Sequence, residues 1–392
     1  MARIGIFGGS FNPPHLGHML AVREFQKKLA LDRVLLVPAA IPPHKQLSSN
    51  SPDSETRLIL TRLAVQDLEN VDVSDLELRR EGVSYTADTV RELKEMYPDD
   101  ELFLLMGTDM FFSFEKWYHP ELITKYATLA VVHRDSDRMQ AILDCAERLR
   151  AKFDANVCCV ENEYLPHSST SVRAMLAFGC AQEYLAPQVL DYIRENNLYY
   201  VGEDLKNLPF ERLKKVALSL HVAKRVPHVI GCSDTAAELA ALYGENTTDA
   251  TRAGILHDIT KALNAEEQLH LCNKYDIILN QFERDNPKLL HAKTGATVAK
   301  CVFGENDAVY HAIYWHTTGK AGMSTMEKII YLADYMEPNR EFPGVEDVRD
   351  FARTDLDRAL QLGLRMSVDQ LTARGMQIDP NSMAALRSLE DL

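Results

Sequence analysis

Short, β-branched apolar runs alternate with amphipathic stretches through the first 200 residues, and then the alternation stops. Runs at 3–7, 34–38, 71–74, 102–106, 130–133 and 157–160 have the length and bulk of buried strands. Helical periodicity fills the gaps, as over 57–68 and 86–96. Strands regularly separated by helices predict a parallel sheet with helices on both faces. Beyond a polar link near 202–209 the pattern is helical throughout (PFERLKKVALSLHVAKRV, DTAAELAALYG, TDATRAGILHDI, TGATVAKCVFG, STMEKIIYLADYM). A chain of 392 residues also exceeds one ordinary core. The expectation is two unlike domains: an α/β domain over 1–202 and an all-α domain over 203–392.

Composition narrows the partners. A net charge of −14 argues against general nucleic-acid binding, so phosphate recognition should be local. Seven scattered cysteines without a CxxC fit reduced thiols better than a disulfide frame. The start lacks a signal-peptide core and no run of 18 apolar residues exists, so neither a membrane span nor export is expected. The expected location is cytoplasmic, and homo-oligomerisation is left open.

The segment GIFGGSFNPPHLGHML (5–20) carries the first chemistry. A strand runs into Gly8, Gly9, Ser10 and Phe11, where a sharp bend exposing N–H groups is expected. Pro13 and Pro14 delay the helix, which then opens with His15 and His18 on one face. Strand, glycine turn and helix start together form an anion holder. Further polar stretches lie where strands end or helices begin: PPHK with Lys45, SYTADT with Thr86, Gly107 and Asp109 of GTD, then Trp117, Arg134, and HSSTSVRAML with Ser168, Ser169, Thr170 and Arg173. In an open parallel sheet these would gather at one crevice beyond the carboxyl ends.

Taken in order and spacing, GGSFNPPHxGH, SYT, GxD and SST-x-x-R make residues 1–200 resemble bacterial nicotinate-nucleotide adenylyltransferases, with a Rossmann-like nucleotidyltransferase fold. The loop HRDSD after the Arg134 strand departs from the family's frequent Arg-Pro-Gly. The resemblance implies transfer of AMP from ATP to nicotinate mononucleotide, with pyrophosphate released and Mg2+ bridging the phosphates. It implies that His15, His18, Lys45, Arg173 and the hydroxyls of Ser168, Ser169 and Thr170 hold triphosphate oxygens. Asp109 would meet the ribose, Trp117 would stack on the pyridine ring, and N–H groups near Thr86 would take its carboxylate.

In the second half, GILHDITK (254–261) puts His257 beside Asp258 in an apolar, helical context. Buried carboxylates are paired or metal-bound. His228, His291, His316 and Asp334 lie in similar surroundings. Six nitrogen and oxygen donors without nearby cysteine suit iron, manganese or zinc rather than a thiolate zinc site. H…HD…D, with HTTG and STMEKIIYLADYMEPNREFPG, resembles YqeK-type HD-domain phosphohydrolases. That resemblance implies a two-ion centre bridged by Asp258, iron or manganese being expected, and symmetrical hydrolysis of diadenosine tetraphosphate to two ADP. Lys261 and Arg340 are the candidate phosphate cations. The alternatives for this half are a nucleotide-sensing module or action on another phosphate ester.

Overall fold

The computed structural model describes residues 1–43, 47–133, 139–161 and 167–390. Its chain divides into two compact units, Met1–Gly202 and Glu203–Leu392.

Among its described residues the first unit holds six strands and nine α-helices: β1 Arg3–Gly9, α1 Leu16–Lys28, β2 Arg33–Pro38, α2 Ser54–Val65, β3 Val71–Val73, α3 Leu76–Arg79, α4 Thr86–Met96, β4 Glu101–Gly107, α5 Thr108–Ser113, α6 Pro120–Tyr126, β5 Ala127–His133, α7 Met139–Phe153, β6 Val157–Glu161, α8 Ser169–Ala177 and α9 Pro187–Glu195. All pairings are parallel, in the order β3-β2-β1-β4-β5-β6. Alternate strand residues (Ile4, Ile6, Leu35, Val37, Leu102, Leu104, Met106, Leu129, Val131) pack with α4–α7 through Val90, Leu93, Phe111, Ile123 and Leu149. The intervening residues face the other way. A side chain at Gly5 would meet Leu31, Val34 and Leu105 within 3.3 Å, so that position must stay small. Burial on both faces explains why these strands read as continuous apolar runs. The order reverses between β1 and β4, which opens the crevice at the carboxyl ends.

One local expectation is corrected. Gly8 and Gly9 do not bend the chain; they finish β1, paired with Val37 and Pro38. The turn comes at Phe11, whose φ is 41°.

The second unit is helical: α10 Phe210–Leu220, α11 Val226–Tyr243, α12 Thr247–Leu256, α13 Ala265–Lys274, α14 Gln281–Asp285, α15 Leu290–Cys301, α16 Asp307–Tyr314, α17 Thr325–Met336, α18 Val345–Ala352, α19 Leu356–Ala373 and α20 Pro380–Glu390. Gly254 of α12 lies against the backbone of α11; a Cβ there would sit 2.6 Å from Ser233 Cα. That close crossing brings the end of α12 beside His228. His257 and Asp258 stand past the helix end, not inside it. Bonds from Ile259 N–H to Leu256 O (3.0 Å) and from Lys261 N–H to Asp258 O (2.8 Å) tighten the chain into successive turns. His316 likewise follows α16 in a turn closed by Gly319 N–H to Trp315 O (2.9 Å). No helix among the described residues is long and apolar enough to cross a membrane.

Candidate functional sites: a sheet-end crevice and a histidine–aspartate centre

At the carboxyl end of β1 the chain passes through Ser10–Pro14 into α1. His15 is the N-cap, and His15 N–H donates to His18 Nδ1 at 3.2 Å. The two imidazoles lie with centroids 3.7 Å apart and their planes tilted by 35°; His15 is buried and His18 half-exposed. Gly8 is open, with nothing within 4 Å of where a Cβ would stand, so a ligand can approach its backbone. Gly107 caps α5 at the end of β4 and Asp109 lies in that helix's first turn.

The loop is fastened from several sides. Arg57, 1% exposed, donates to Ser10 O (2.8 Å) and Ala40 O (3.0 Å). Arg173 donates to Asn12 O (2.8 Å), Ser169 O (3.1 Å) and Thr170 Oγ1 (3.3 Å). Burial pushes its pKa down to about 10, which still leaves a cation at neutral pH. Arg173, expected to hold triphosphate oxygens, braces the box here with an inward-facing guanidinium. The three hydroxyls differ from expectation in the same sense. Ser168 and Ser171 form a reciprocal cap on α8, Ser169 donates to Pro13 O (3.1 Å), and Thr170 accepts from Arg173. What α8 presents to an anion is its N-terminus. Lys45 and Arg134 lie outside the described residues.

Tyr85 precedes α4, whose start has no side-chain cap, so Thr86 opens a helix with first-turn N–H groups suited to a carboxylate. Trp117 packs on Phe114 at 5.3 Å. The more exposed ring is Tyr118, whose centroid lies 4.3 Å from that of Tyr85 with the planes tilted by 30°. Arg57 and Tyr118 escaped sequence reasoning, one resembling a helix-surface charge and the other lacking any motif.

The second unit gathers all six expected donors. His228 Nε2 is 3.3 Å from His257 Nε2 and 3.2 Å from Asp334 Oδ1. Asp258 divides its oxygens. Oδ2 faces His257 (3.4 Å) and His228 (3.7 Å), whereas Oδ1 faces His291 (3.3 Å) and His316 (3.7 Å). Each Nδ1 meets an oxygen acceptor: His257 with Gly254 O (2.7 Å), His291 with Lys288 O (2.6 Å), His316 with Ile313 O (2.6 Å) and His228 with Glu337 Oε1 (3.1 Å). These partners each take an Nδ1–H, so every Nε2 points inward.

Burial would raise the Asp258 carboxyl, but the facing His257 and His316 hold it well below the usual carboxylate range. Burial, with the Lys261 ammonium, pushes His291 down to about 3, so it is neutral at physiological pH. Asp258 Oδ1 and His316 Nε2 are buried without a hydrogen-bond partner. Inward-facing imidazole nitrogens, an ionised bridging carboxylate and buried polar atoms without a partner fit divalent cations. Three protein cations ring the centre. Arg225 binds Asp258 Oδ2, Arg340 Nη2 lies 2.6 Å from Asp334 Oδ1, and Lys261 Nζ lies 2.9 Å from His291 Nε2. Arg225 and Glu337 were not found from sequence, because the groups they meet in the centre, Asp258 and His228, lie 33 and 109 residues away.

Residues 6–175 match the family model described as cytidylyltransferase-like, and residues 225–339 match that of the HD domain. A Borrelia hermsii protein described as "Probable nicotinate-nucleotide adenylyltransferase" is 35% identical over 202 residues, which are 51% of this chain and all of that protein. A namesake from Carboxydothermus hydrogenoformans is 38% identical over 199 residues, 50% of this chain and 98% of its own length. Among solved structures, a "predicted HD superfamily hydrolase involved in NAD metabolism" from Clostridium acetobutylicum is 35% identical, covers 47% of this chain and 98% of its own, and has a TM-score of 0.46. Each of these relatives spans about half of this chain. Through its first half, the chain belongs to the nicotinate-nucleotide adenylyltransferase family of nucleotidyltransferases, and it continues into an HD domain of the metal-dependent hydrolase family.

Proposed function

We propose that the chain carries two enzymes. Residues 1–202 join nicotinate mononucleotide to the AMP of ATP. A phosphate oxygen of the mononucleotide attacks the α-phosphorus, the bond to the bridging oxygen breaks, and its electron pair leaves with pyrophosphate. No covalent intermediate is required, so catalysis is placement and charge neutralisation. His15, His18 and Lys45 hold the triphosphate together with the start of α8, and Arg173, Ser168, Ser169 and Thr170 keep that helix start and the loop in register. Mg2+ would supply charge neutralisation on the triphosphate there, with few protein ligands needed. Asp109 takes the ribose, and the aromatic group of Trp117, Tyr118 and Tyr85 flanks the pyridine ring near the α4 start.

Residues 203–392 hydrolyse a dinucleoside polyphosphate, diadenosine tetraphosphate being the proposed substrate and two ADP the products. His228, His257 and Asp334 would hold one ion, His291 and His316 a second, with Asp258 between them; iron or manganese suits this donor set. Such ions supply a hydroxide near neutral pH and a clamp on the attacked phosphate. Lys261 and Arg340 hold the remaining phosphate oxygens.

The observation that carries the reading is the divided Asp258 carboxylate, one oxygen towards each histidine group, in a chain whose other half belongs to the transferase family. The experiment supplies ATP with each pyridine mononucleotide, and separately diadenosine tetraphosphate with Fe2+ or Mn2+. Formation of nicotinate adenine dinucleotide and of ADP as sole product supports it. Failure of either reaction removes that half of the proposal.

A further inference from the structure

The Asn197–Tyr200 turn ends the first unit in an unusual backbone: Asn197, Tyr199 and Tyr200 all have positive φ, at 50°, 57° and 66°. Bulky aromatic residues rarely enter the left-handed region, and they stay there only where the surroundings over-determine it, commonly beside a functional site. The turn drives the Tyr199 side chain into the interior, 2% exposed, and its hydroxyl donates to Asn12 Oδ1 at 2.9 Å. Burial pushes the Tyr199 phenol up, so it keeps its proton at neutral pH. Asn12 is itself 1% exposed and fully engaged. Its Nδ2 donates to Ser51 Oγ (2.6 Å) and its carbonyl accepts from Arg173 (2.8 Å). Asn12 follows the left-handed Phe11, whose ring lies 5.3 Å from His18, and precedes His15 by three residues.

We propose that Tyr199 is a positioning residue of the transferase site, holding the Asn12 side chain and thereby the orientation of the loop that delivers His15 and His18. The inference rests on the transferase reading above. A residue 187 positions away in sequence holds the Asn12 side chain, whereas Arg57 and Arg173 hold the loop through the Ser10 and Asn12 backbone carbonyls. Without the hydroxyl, Asn12 Oδ1 is left buried and unsatisfied, and the amide must turn to find a donor. Small displacements of groups that meet a transition state are costly in rate.

Tyr199→Phe removes one oxygen and leaves the ring in place. In the full-length chain, kcat for dinucleotide synthesis should fall about 10-fold or more, with KM for ATP and nicotinate mononucleotide within about 3-fold. In an Asn12→Ala background the same substitution should change kcat by less than about 2-fold, since both act through one contact. Hydrogen–deuterium exchange, which needs no activity, should be about 10-fold faster over residues 10–18 while the β4 peptide 101–107 is unchanged. Wild-type kcat with wild-type exchange in this loop overturns the proposal, as does exchange that rises equally across the sheet. A wild-type chain that uses no pyridine mononucleotide defeats the transferase reading instead, and the exchange comparison still decides whether Tyr199 holds the loop.

Discussion

Gly231→Ala tests whether the histidine–aspartate centre depends on a partner one layer out. Gly231 stands one helical turn beyond His228 in α11, and a Cβ there would lie 2.3 Å from Glu337 Oε2 and 3.2 Å from Asn339 Nδ2. Contacts below about 3.4 Å are repulsive, so the carboxylate must retreat by about 1 Å. Glu337 is 1% exposed and held by Asn339 N–H at 2.7 Å and Asn339 Nδ2 at 2.8 Å, so it has little room to yield. The interaction at risk is the 3.1 Å contact between Glu337 Oε1 and His228 Nδ1. Losing an outer partner of a metal-binding histidine typically costs about 10–100-fold in metal affinity, or about 1.4–2.7 kcal/mol. Alanine is the better helix former by up to about 1 kcal/mol, so backbone preference will not by itself destabilise α11. The assay is calorimetric titration of metal-stripped protein with Mn2+, with circular dichroism to confirm the helix content. Glu337→Gln keeps the shape and should weaken binding in the same direction. A folded Gly231→Ala protein that binds Mn2+ as tightly as wild type would refute the reasoning.

Other expectations are more direct. His18→Ala removes one charge-assisted donor at the start of α1, and dinucleotide synthesis should drop about 10²-fold or more with the fold intact; near-normal synthesis rejects the assignment. Nicotinate mononucleotide should exceed its amide in kcat/KM, because N–H donors at the α4 start satisfy a carboxylate whereas an amide NH2 would oppose them; equal values contradict that placement. Chelation should lower the thermal midpoint of the second unit and excess Mn2+ should restore it, since a bound ion stabilises only the folded state; calorimetry showing no change would exclude a metal centre.

The strands were legible because burial on both faces leaves runs of β-branched residues that no helix between them shares. The metal-type donors were legible for a related reason: a histidine or aspartate in an apolar run needs an explanation. The helix ends were not. GILHDI keeps helical periodicity past Leu256, and only the shift to i+3 hydrogen bonding, which no hydropathy pattern records, takes His257 and Asp258 out of the helix. Arg173 shows a second limit. Its type and position suggested a phosphate contact, but one carbonyl that turns it inward, Asn12 O, lies 161 residues away. Tyr199, Arg225 and Glu337 follow the same rule, since their partners are Asn12, Asp258 and His228. Sequence exposes what a residue can do; distant partners decide whether it faces a substrate or holds the residue that does.

The central claim is that one chain carries two separable sites, and a crossed assay tests it most directly. Full-length wild type, His18→Ala and Asp258→Ala are each measured for dinucleotide synthesis and for diadenosine tetraphosphate hydrolysis with Mn2+ or Fe2+. The account predicts that His18→Ala loses synthesis and keeps hydrolysis. Asp258→Ala should lose hydrolysis and bound metal while synthesis stays within about 3-fold in kcat/KM, as independent sites require. A soluble, folded Asp258→Ala protein that loses both activities together would contradict it.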